Sequence, residues 1–334
     1  VKLIKNGKLS FIVLTFRGDT HMSATIKDLA RETGLTAATI SAYFNGASVR
    51  PYNKEKIERA IDKLGYIRND YARALRTHRS MTVGVLIPEF ASMFATQLVT
   101  EIEEALRLKR YGIIICDCRS NPSREREAVR FLQSKTVDGI IVIPATDSAS
   151  SLSSAIQKKL PVVALDRYTE SRDISHVIVS NRKAGREAVQ KMLSEGKKKI
   201  AVIHGDENLF TARERLAGYR DTMERAGEGT GIAVQGGNSV QGGYEAAKKL
   251  LSGEPGLQGI FATNYEMSIG AAIALKETGK TIGDDFAFTG FDSVQMLPVL
   301  CPGMHMVVQP IRELGMVAAE TLLDGDFSAE YFRA

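Results

Sequence analysis

The 334-residue chain contains no tryptophan, three cysteines and five histidines. So few cysteines, in an odd number, imply no disulfide framework and fit a reducing cytoplasm best. Cys116 and Cys118 stand two apart in the strand-like run YGIIICDC, so alternation turns both to one sheet face. No second Cys/His pair lies near them, so the bland core reading outweighs a metal pair. His21, His78, His176, His204 and His305 are scattered and form no H-E-x-x-H. Walker A and G-x-S-x-G are also missing. The segment GEGTG at Gly227–Gly231 follows a helical stretch without dinucleotide-site spacing. These gaps argue against an enzyme and imply no cofactor. No segment reaches the roughly 18–20 uninterrupted apolar residues of a membrane span. Near the start, Lys2, Lys5 and Lys8 precede LSFIVLTF, which superficially resembles a secretion signal. The run is short, Arg17 and Asp19 follow at once, and no small-residue cleavage site appears. Met22 therefore reads as the natural start, with residues 1–21 an upstream extension outside the fold.

What the chain does have is an ordinary globular balance, 44% hydrophobic and 25% charged, and length for two or three domains. Its net charge of +5 is unevenly placed. Residues 1–79 hold 15 Lys/Arg against 7 Asp/Glu, whereas the remainder holds 29 against 32. A basic head on a slightly acidic body suggests that only the head meets a polyanion.

From Thr25 to about Arg76 the pattern is short, punctuated and helical. Thr25-x-x-Asp28 opens a first helix ending near Thr33. Gly34 breaks it, and Thr36 caps a second helix running to Phe44, stopped by Asn45-Gly46. Asn53 is the expected cap of a third, whose stripe is Ile57, Ile61 and Leu64. From Met81 onward, apolar strand-like runs alternate with helical stretches. TVGVLIP, YGIIICD, VDGIIVIP and PVVALD form one series; HVIVS, KIAVIHG, GIFAT and FAFTGFD belong to a second. Such alternation means parallel βαβ units. The expected fold is an α/β body of two doubly wound parallel-sheet subdomains preceded by an all-α helix-turn-helix head. The head spans 22–68, a linker 69–80, and the body 81–334. The first subdomain takes about 81–165 plus 311–323, the second about 166–309. Ligands of such folds bind at the carboxyl ends of the strands, in the cleft between subdomains.

Two short helices around a Gly-containing turn suit a helix-turn-helix. Ala30 is small where the helices cross, and Leu29, Leu35 and Ile40 can share a core. The second helix would then lie in a major groove of double-stranded DNA, with Ala37, Ala38, Ser41 and Ala42 facing out. A plain three-helix bundle has the same spacing; the charge asymmetry favours DNA.

The segment Thr25-Ile26-Lys27-Asp28-Leu29-Ala30, followed by Gly34-Leu35-Thr36-Ala37-Ala38-Thr39-Ile40-Ser41 and Asn45, resembles the head of the LacI/GalR family of bacterial regulators. Tyr66-Ile67-Arg68-Asn69 and Ala72-Arg73-Ala74-Leu75 approach the family's later motif. The resemblance runs from Met22 to about Asp326 and implies a repressor that binds an operator as a homodimer. On this likeness the DNA-contacting set is Thr36, Ala37, Ala38, Thr39, Ser41, Ala42, Asn45, Arg68, Asn69, Arg73, Leu75 and Arg76. Residues 69–77 would form a hinge helix capped by Asn69, with Leu75 wedged into a minor-groove step and Arg73 and Arg76 on the backbone. Nine residues are marginal as an isolated helix, so the hinge would order only with DNA and a partner subunit. Two departures matter. Ala42 stands where many relatives carry a base-reading Arg, leaving few hydrogen bonds for base edges and more weight on DNA shape. Arg68 replaces the usual Pro and reads as a further phosphate contact.

For the body, the family resembles periplasmic sugar-binding proteins, which implies an effector pocket. Asp166-Arg167 follow PVVAL, Arg215 opens RLAGY, Asn264 lies in TNYEMSIGA, Asp292 closes GFD, and Gln309-Pro310 match the crossover. Phe90 and Phe94 could form an apolar wall. Singly, each polar residue could be a surface pair, a helix cap or a turn residue; six at matching strand ends suggest a site. Ser180, Tyr265 and His305-Met306 depart from the family pattern, which bears on fine specificity. Asp166 and Asp292 against Arg167 and Arg215 give a cancelling charge, so a neutral sugar is the expected effector. A sugar-binding protein without a regulatory DNA role is the alternative. The ending SAEYFRA falls short of the family's further strand and suggests an altered tail.

Overall fold

A computed structural model describes residues 24–44, 46–66, 79–229, 231–283, 285–292 and 296–324, and the backbone of 2–6, 9–13 and 331–333. The chain divides into two compact units, Val1–Arg76 and Thr77–Ala334.

In the first unit, β1 (Lys2–Asn6) and β2 (Leu9–Val13) pair antiparallel in a two-stranded sheet of their own. Three helices follow: α1 (Ile26–Thr33), α2 (Ala37–Phe44) and α3 (Pro51–Leu64). α1 opens on a full capping box, with the Thr25 N–H donating to Asp28 at 2.9 Å and the Asp28 N–H returning to Thr25 Oγ1 at 3.3 Å. It ends on Gly34 at φ 68°, a left-handed turn that needs no Cβ. Leu29, Ile40, Ile57, Ala60 and Tyr66 are buried together, with Ala30 and Leu35 packed against them. α3 starts two residues before the expected cap. Pro51 takes the first helical position, where its missing N–H costs nothing, so Asn53 lies inside the helix.

The second unit holds two parallel sheets. One has the order β13-β7-β6-β5-β3-β4: β3 (Thr82–Ile87), β4 (Gly112–Asp117), β5 (Gly139–Val142), β6 (Val162–Leu165), β7 (Ser175–Val179) and β13 (Tyr331–Arg333). The other has the order β12-β11-β10-β8-β9: β8 (Ile200–His204), β9 (Ile232–Gln235), β10 (Gly259–Ala262), β11 (Ala287–Phe291) and β12 (His305–Val307). The central strands of each sheet are buried on both faces, whereas β4, β9 and β12 at the edges are only partly buried. Val83, Val85 and Ile87 pack under α4 (Met93–Leu108) and α12 (Ile311–Asp324), while Leu86 packs oppositely with Val129 and Leu132 of α5 (Pro122–Ser134). In the second sheet, Ile260 and Ala262 face α9 (Val240–Gly253) and α10 (Tyr265–Glu277), whereas Phe261 faces α7 (Asn181–Ser194) and α8 (Phe210–Arg225). At roughly 1.5–3 kcal/mol per buried aliphatic side chain, this two-sided burial drives the fold. Cys116 and Cys118 enter the same core cluster, as alternation requires.

Two expectations change. HVIVS was assigned to the second series, but it runs parallel beside β6 in the first sheet, reached by a nine-residue connection without a helix. The first subdomain therefore extends to residue 179. The tail also supplies a strand: Tyr331–Arg333 pairs with Val177–Val179 at the sheet edge. Among the described residues no helix is long and apolar enough to cross a membrane.

Candidate functional site

A cavity of about 580 Å³ lies where the carboxyl ends of the two sheets meet. Asp166, Arg167, Arg215, Asn264, Asp292 and Phe94 line it together. Two expected residues do not. Phe90 is half exposed and off the wall. Gln309 is buried behind Asp292 and donates its Nε2 hydrogen to Asp292 Oδ1. It acts on the carboxylate and lines nothing.

The two aspartates occupy equivalent corners. Asp166 follows β6 and Asp292 follows β11, at φ 65° and 66°, in the left-handed region that Asp tolerates better than most residues. The Asp166 N–H donates to Val177 O at 2.9 Å, and the Asp292 N–H to Val307 O at 3.1 Å. Each turn thereby aims a carboxylate inward.

Arg215 holds the second corner. Its Nε donates to Asn181 Oδ1 at 2.8 Å, its Nη1 donates to Thr263 O at 2.7 Å, and its guanidinium lies 3.6 Å over the Phe291 ring. Nη1 is also 3.8 Å from Asp292 Oδ2. α7 and α8 cross closely enough to allow this because a Cβ on Gly218 would meet the Arg182 carbonyl at 2.2 Å. In the first corner Arg167 Nη1 donates to Pro144 O at 2.8 Å, while Arg167 Nε and Asp166 Oδ1 are buried without a partner.

Burial governs the charges. It pushes Asp166 up to about 6, against the pull of Arg215 and Arg167. Burial also raises Asp292, opposed by Arg215 and by the Gln309 hydrogen bond, and it lowers Arg167. Asn264 does the bland work as well: its Oδ1 caps α10 by accepting the Met267 N–H at 2.8 Å.

Sequence reasoning missed Glu89, Asp206, Asn238 and Glu266 on the wall, and Asn181 behind it. The wall residues follow strands, and Glu266 is in the first turn of α10 after Asn264. The strand-end rule alone would have flagged them.

A clasp spans the cleft mouth. Asp147, after β5, accepts the Phe210 N–H at 3.0 Å at the start of α8 and pairs with Arg213.

In the head, Thr36, Ala37 and Ala38 are exposed, and Thr39, Ser41 and Ala42 are half-buried. Thr36 Oγ1 accepts the Thr39 N–H at 3.2 Å and shares a hydrogen bond with the Thr39 hydroxyl at 2.9 Å. The outer face of α2 is thus small and sparsely polar. Asn45, Arg68, Asn69, Arg73, Leu75 and Arg76 lie outside the described residues.

Residues 25–69 match the family "Bacterial regulatory proteins, lacI family", and residues 80–324 match "Periplasmic binding proteins and sugar binding domain of LacI family". Catabolite control protein A of Priestia megaterium is 29% identical over 305 residues, covering 90% of this chain and 92% of the relative. The ribose operon repressor of Halalkalibacterium halodurans is 30% identical over 300 residues, covering 90% and 89%. Among solved structures, the lac repressor dimer bound to operator superposes with a TM-score of 0.79 at 24% identity, over 91% of this chain and 92% of that one. The regulator CelR in complex with cellobiose gives 0.69 at 26% identity, over 93% and 96%. Its head, its body and its full-length relatives therefore agree: the chain belongs to the LacI family, as a DNA-binding transcription regulator with an effector-binding domain and not an enzyme.

Proposed function

We propose that the chain is a homodimeric repressor whose operator affinity is set by a sugar-like effector bound in the cleft. The observation that carries this reading is the pair of facing aspartate corners. A buried carboxylate oxygen and a buried guanidinium N–H, on adjacent residues, lack partners in the first corner. A polyol hydroxyl donates to one and accepts from the other. Buried polar groups left unpaired cost about 1–3 kcal/mol each, so a ligand that satisfies them gains both affinity and selectivity. The ribose operon repressor among the relatives and the cellobiose complex among the structures support a sugar.

Asp166, Asp292, Arg167 and Arg215 cancel, but Glu89, Asp206 and Glu266 also line the cavity. The site is acidic rather than neutral, which speaks more strongly against a phosphorylated or otherwise anionic effector.

On the DNA side, the proposed contacts are Thr36, Ala37, Ala38, Thr39, Ser41, Ala42 and Asn45, with Arg68, Asn69, Arg73, Leu75 and Arg76 in the hinge. Short side chains on α2 shift specificity toward DNA shape and the hinge. Paired heads double the phosphate contacts, so log K should fall steeply with log salt. Calorimetry with neutral sugars, sugar phosphates and purines tests the effector. Tight binding of a sugar phosphate or free purine, with no unphosphorylated sugar bound at millimolar concentration, would overturn it. A monomer that binds operator with a shallow salt slope would overturn the two-headed arrangement.

A further inference from the structure

We propose that Asp138 is a positioning residue for operator binding: it fixes the joint at which the chain leaves the body for the DNA-binding head. This goes beyond the effector reading and rests on the paired heads proposed for operator recognition.

The joint is built at the amino ends of two neighbouring strands. β3 starts at Thr82, and the two residues before it are tied to Asp138, which immediately precedes β5. Asp138 Oδ1 accepts the Ser80 N–H at 2.7 Å and the Ser80 hydroxyl at 3.0 Å, while Oδ2 accepts the Met81 N–H at 3.0 Å. The Asp138 N–H donates in turn to Thr82 O at 2.8 Å. The buried Tyr111 interacts with both Asp138 and Arg79. One carboxylate thus takes both backbone N–H groups of residues 80 and 81.

The second observation is the backbone of Met81. Its φ is 55°, in the left-handed region, and its side chain has no group to hydrogen-bond locally as Asn or Asp would. Such a conformation is unfavourable and persists only where its surroundings impose it. Here Asp138 holds the N–H, and Met81 O accepts the Gly112 N–H at 2.9 Å. The strand itself needs no such bend, because the ladder begins at Thr82 opposite Gly112. What the bend does is set the direction from which the linker arrives. Paired heads read half-sites at a fixed separation, so each head must be delivered in register. A head that binds phosphates alone needs no such register.

The test uses the full chain and two duplexes of equal length at fixed salt: the genomic fragment that the parent retains most tightly, and a random sequence. Asp138→Ala should reduce the preference for the genomic fragment by about tenfold or more. Two substitutions at Met81 separate geometry from packing. Met81→Asn tolerates the left-handed turn and should stay within about threefold of the parent, whereas the β-branched Met81→Val should lose about tenfold. Affinity for the random duplex should stay within about twofold throughout, since it reads the heads alone. The Met81 pair decides the matter if Asp138→Ala does not fold. A packing role predicts the reverse order at Met81, because Val keeps an apolar side chain and Asn does not. That reverse order overturns the inference, as does an undiminished preference in Asp138→Ala. Equal losses on both duplexes overturn it as well. A parent that prefers no genomic fragment, or binds it as a monomer, overturns the paired-head reading, and the inference falls with it.

Discussion

Two corners of the cleft share one backbone device and differ in what completes it. Asp166 and Asp292 each end a parallel strand, turn through positive φ, and tie their N–H to the next strand. Asp292 then receives Gln309 and faces Arg215, so the protein itself finishes that corner. Asp166 Oδ1 has no such partner. The second subdomain therefore presents a preorganised surface, and the first presents a charge that a ligand must complete. On the proposed reading, a ligand that bridges them gains more of its new hydrogen bonds on the first side.

Arg215→Ala breaks the finished corner and should have the largest effect. It strands Asp292 as a buried carboxylate, costing about 3–5 kcal/mol in urea unfolding, and it abolishes effector binding. A loss below about 1 kcal/mol would mean that solvent reaches the corner freely.

The open corner should respond to pH in the opposite way. Because Asp166 is raised in the fold to about 6, the folded state holds its proton more tightly than the unfolded chain. Its contribution to stability is greatest below about pH 4 and declines as pH rises through 6. Asp166→Asn should remove that decline and raise stability above pH 6 by up to about 3 kcal/mol, while weakening the effector. Thermal melts from pH 4 to 8 read this directly; parallel curves for parent and variant would contradict it.

Gly218→Ala tests the scaffold behind the finished corner. The new methyl meets the Arg182 carbonyl, so α7 and α8 must separate and shift Arg215 from Asn181. A loss of about 1–3 kcal/mol is expected, with a matching drop in effector affinity. Stability lost without affinity would detach the helix crossing from the site.

The smallest effect belongs to the clasp. Asp147→Ala removes the bonds to Phe210 and Arg213 across the cleft mouth without touching the wall. Effector affinity should fall by about five- to tenfold, roughly 1 kcal/mol, and X-ray scattering should show a more open body. Unchanged affinity would make the clasp decoration.

Much of this was legible in the sequence because the signals are local. Thr25-x-x-Asp28 and Gly34 fix α1 at both ends by hydrogen bonds within a few residues. Asp166, Arg215 and Asp292 are legible through motifs shared with the LacI/GalR family, and the fold brings them together. What escaped depends on distant partners. Nothing local distinguishes Phe94, which lines the cavity, from Phe90, which turns away. Gln309 reads as a ligand contact until its bond to Asp292 is seen. Glu266 reads as a helical acid in the first turn of α10, and only the approach of Glu89 and Asp292 makes it part of a charged wall. HVIVS has the same alternation whichever sheet accepts it, so its place beside β6 is a tertiary fact.

The central claim is that the cleft governs DNA binding, and one titration addresses it. DNA fragments that the full chain retains from the source genome serve as operator, with affinity measured at fixed salt with and without saturating cleft ligand, for the parent and for Asp292→Ala. Ligand should change the affinity of the parent by tenfold or more, about 1.4 kcal/mol of coupling, and leave the variant's affinity unmoved. A parent whose operator affinity is indifferent to a ligand that occupies the cleft would contradict the account.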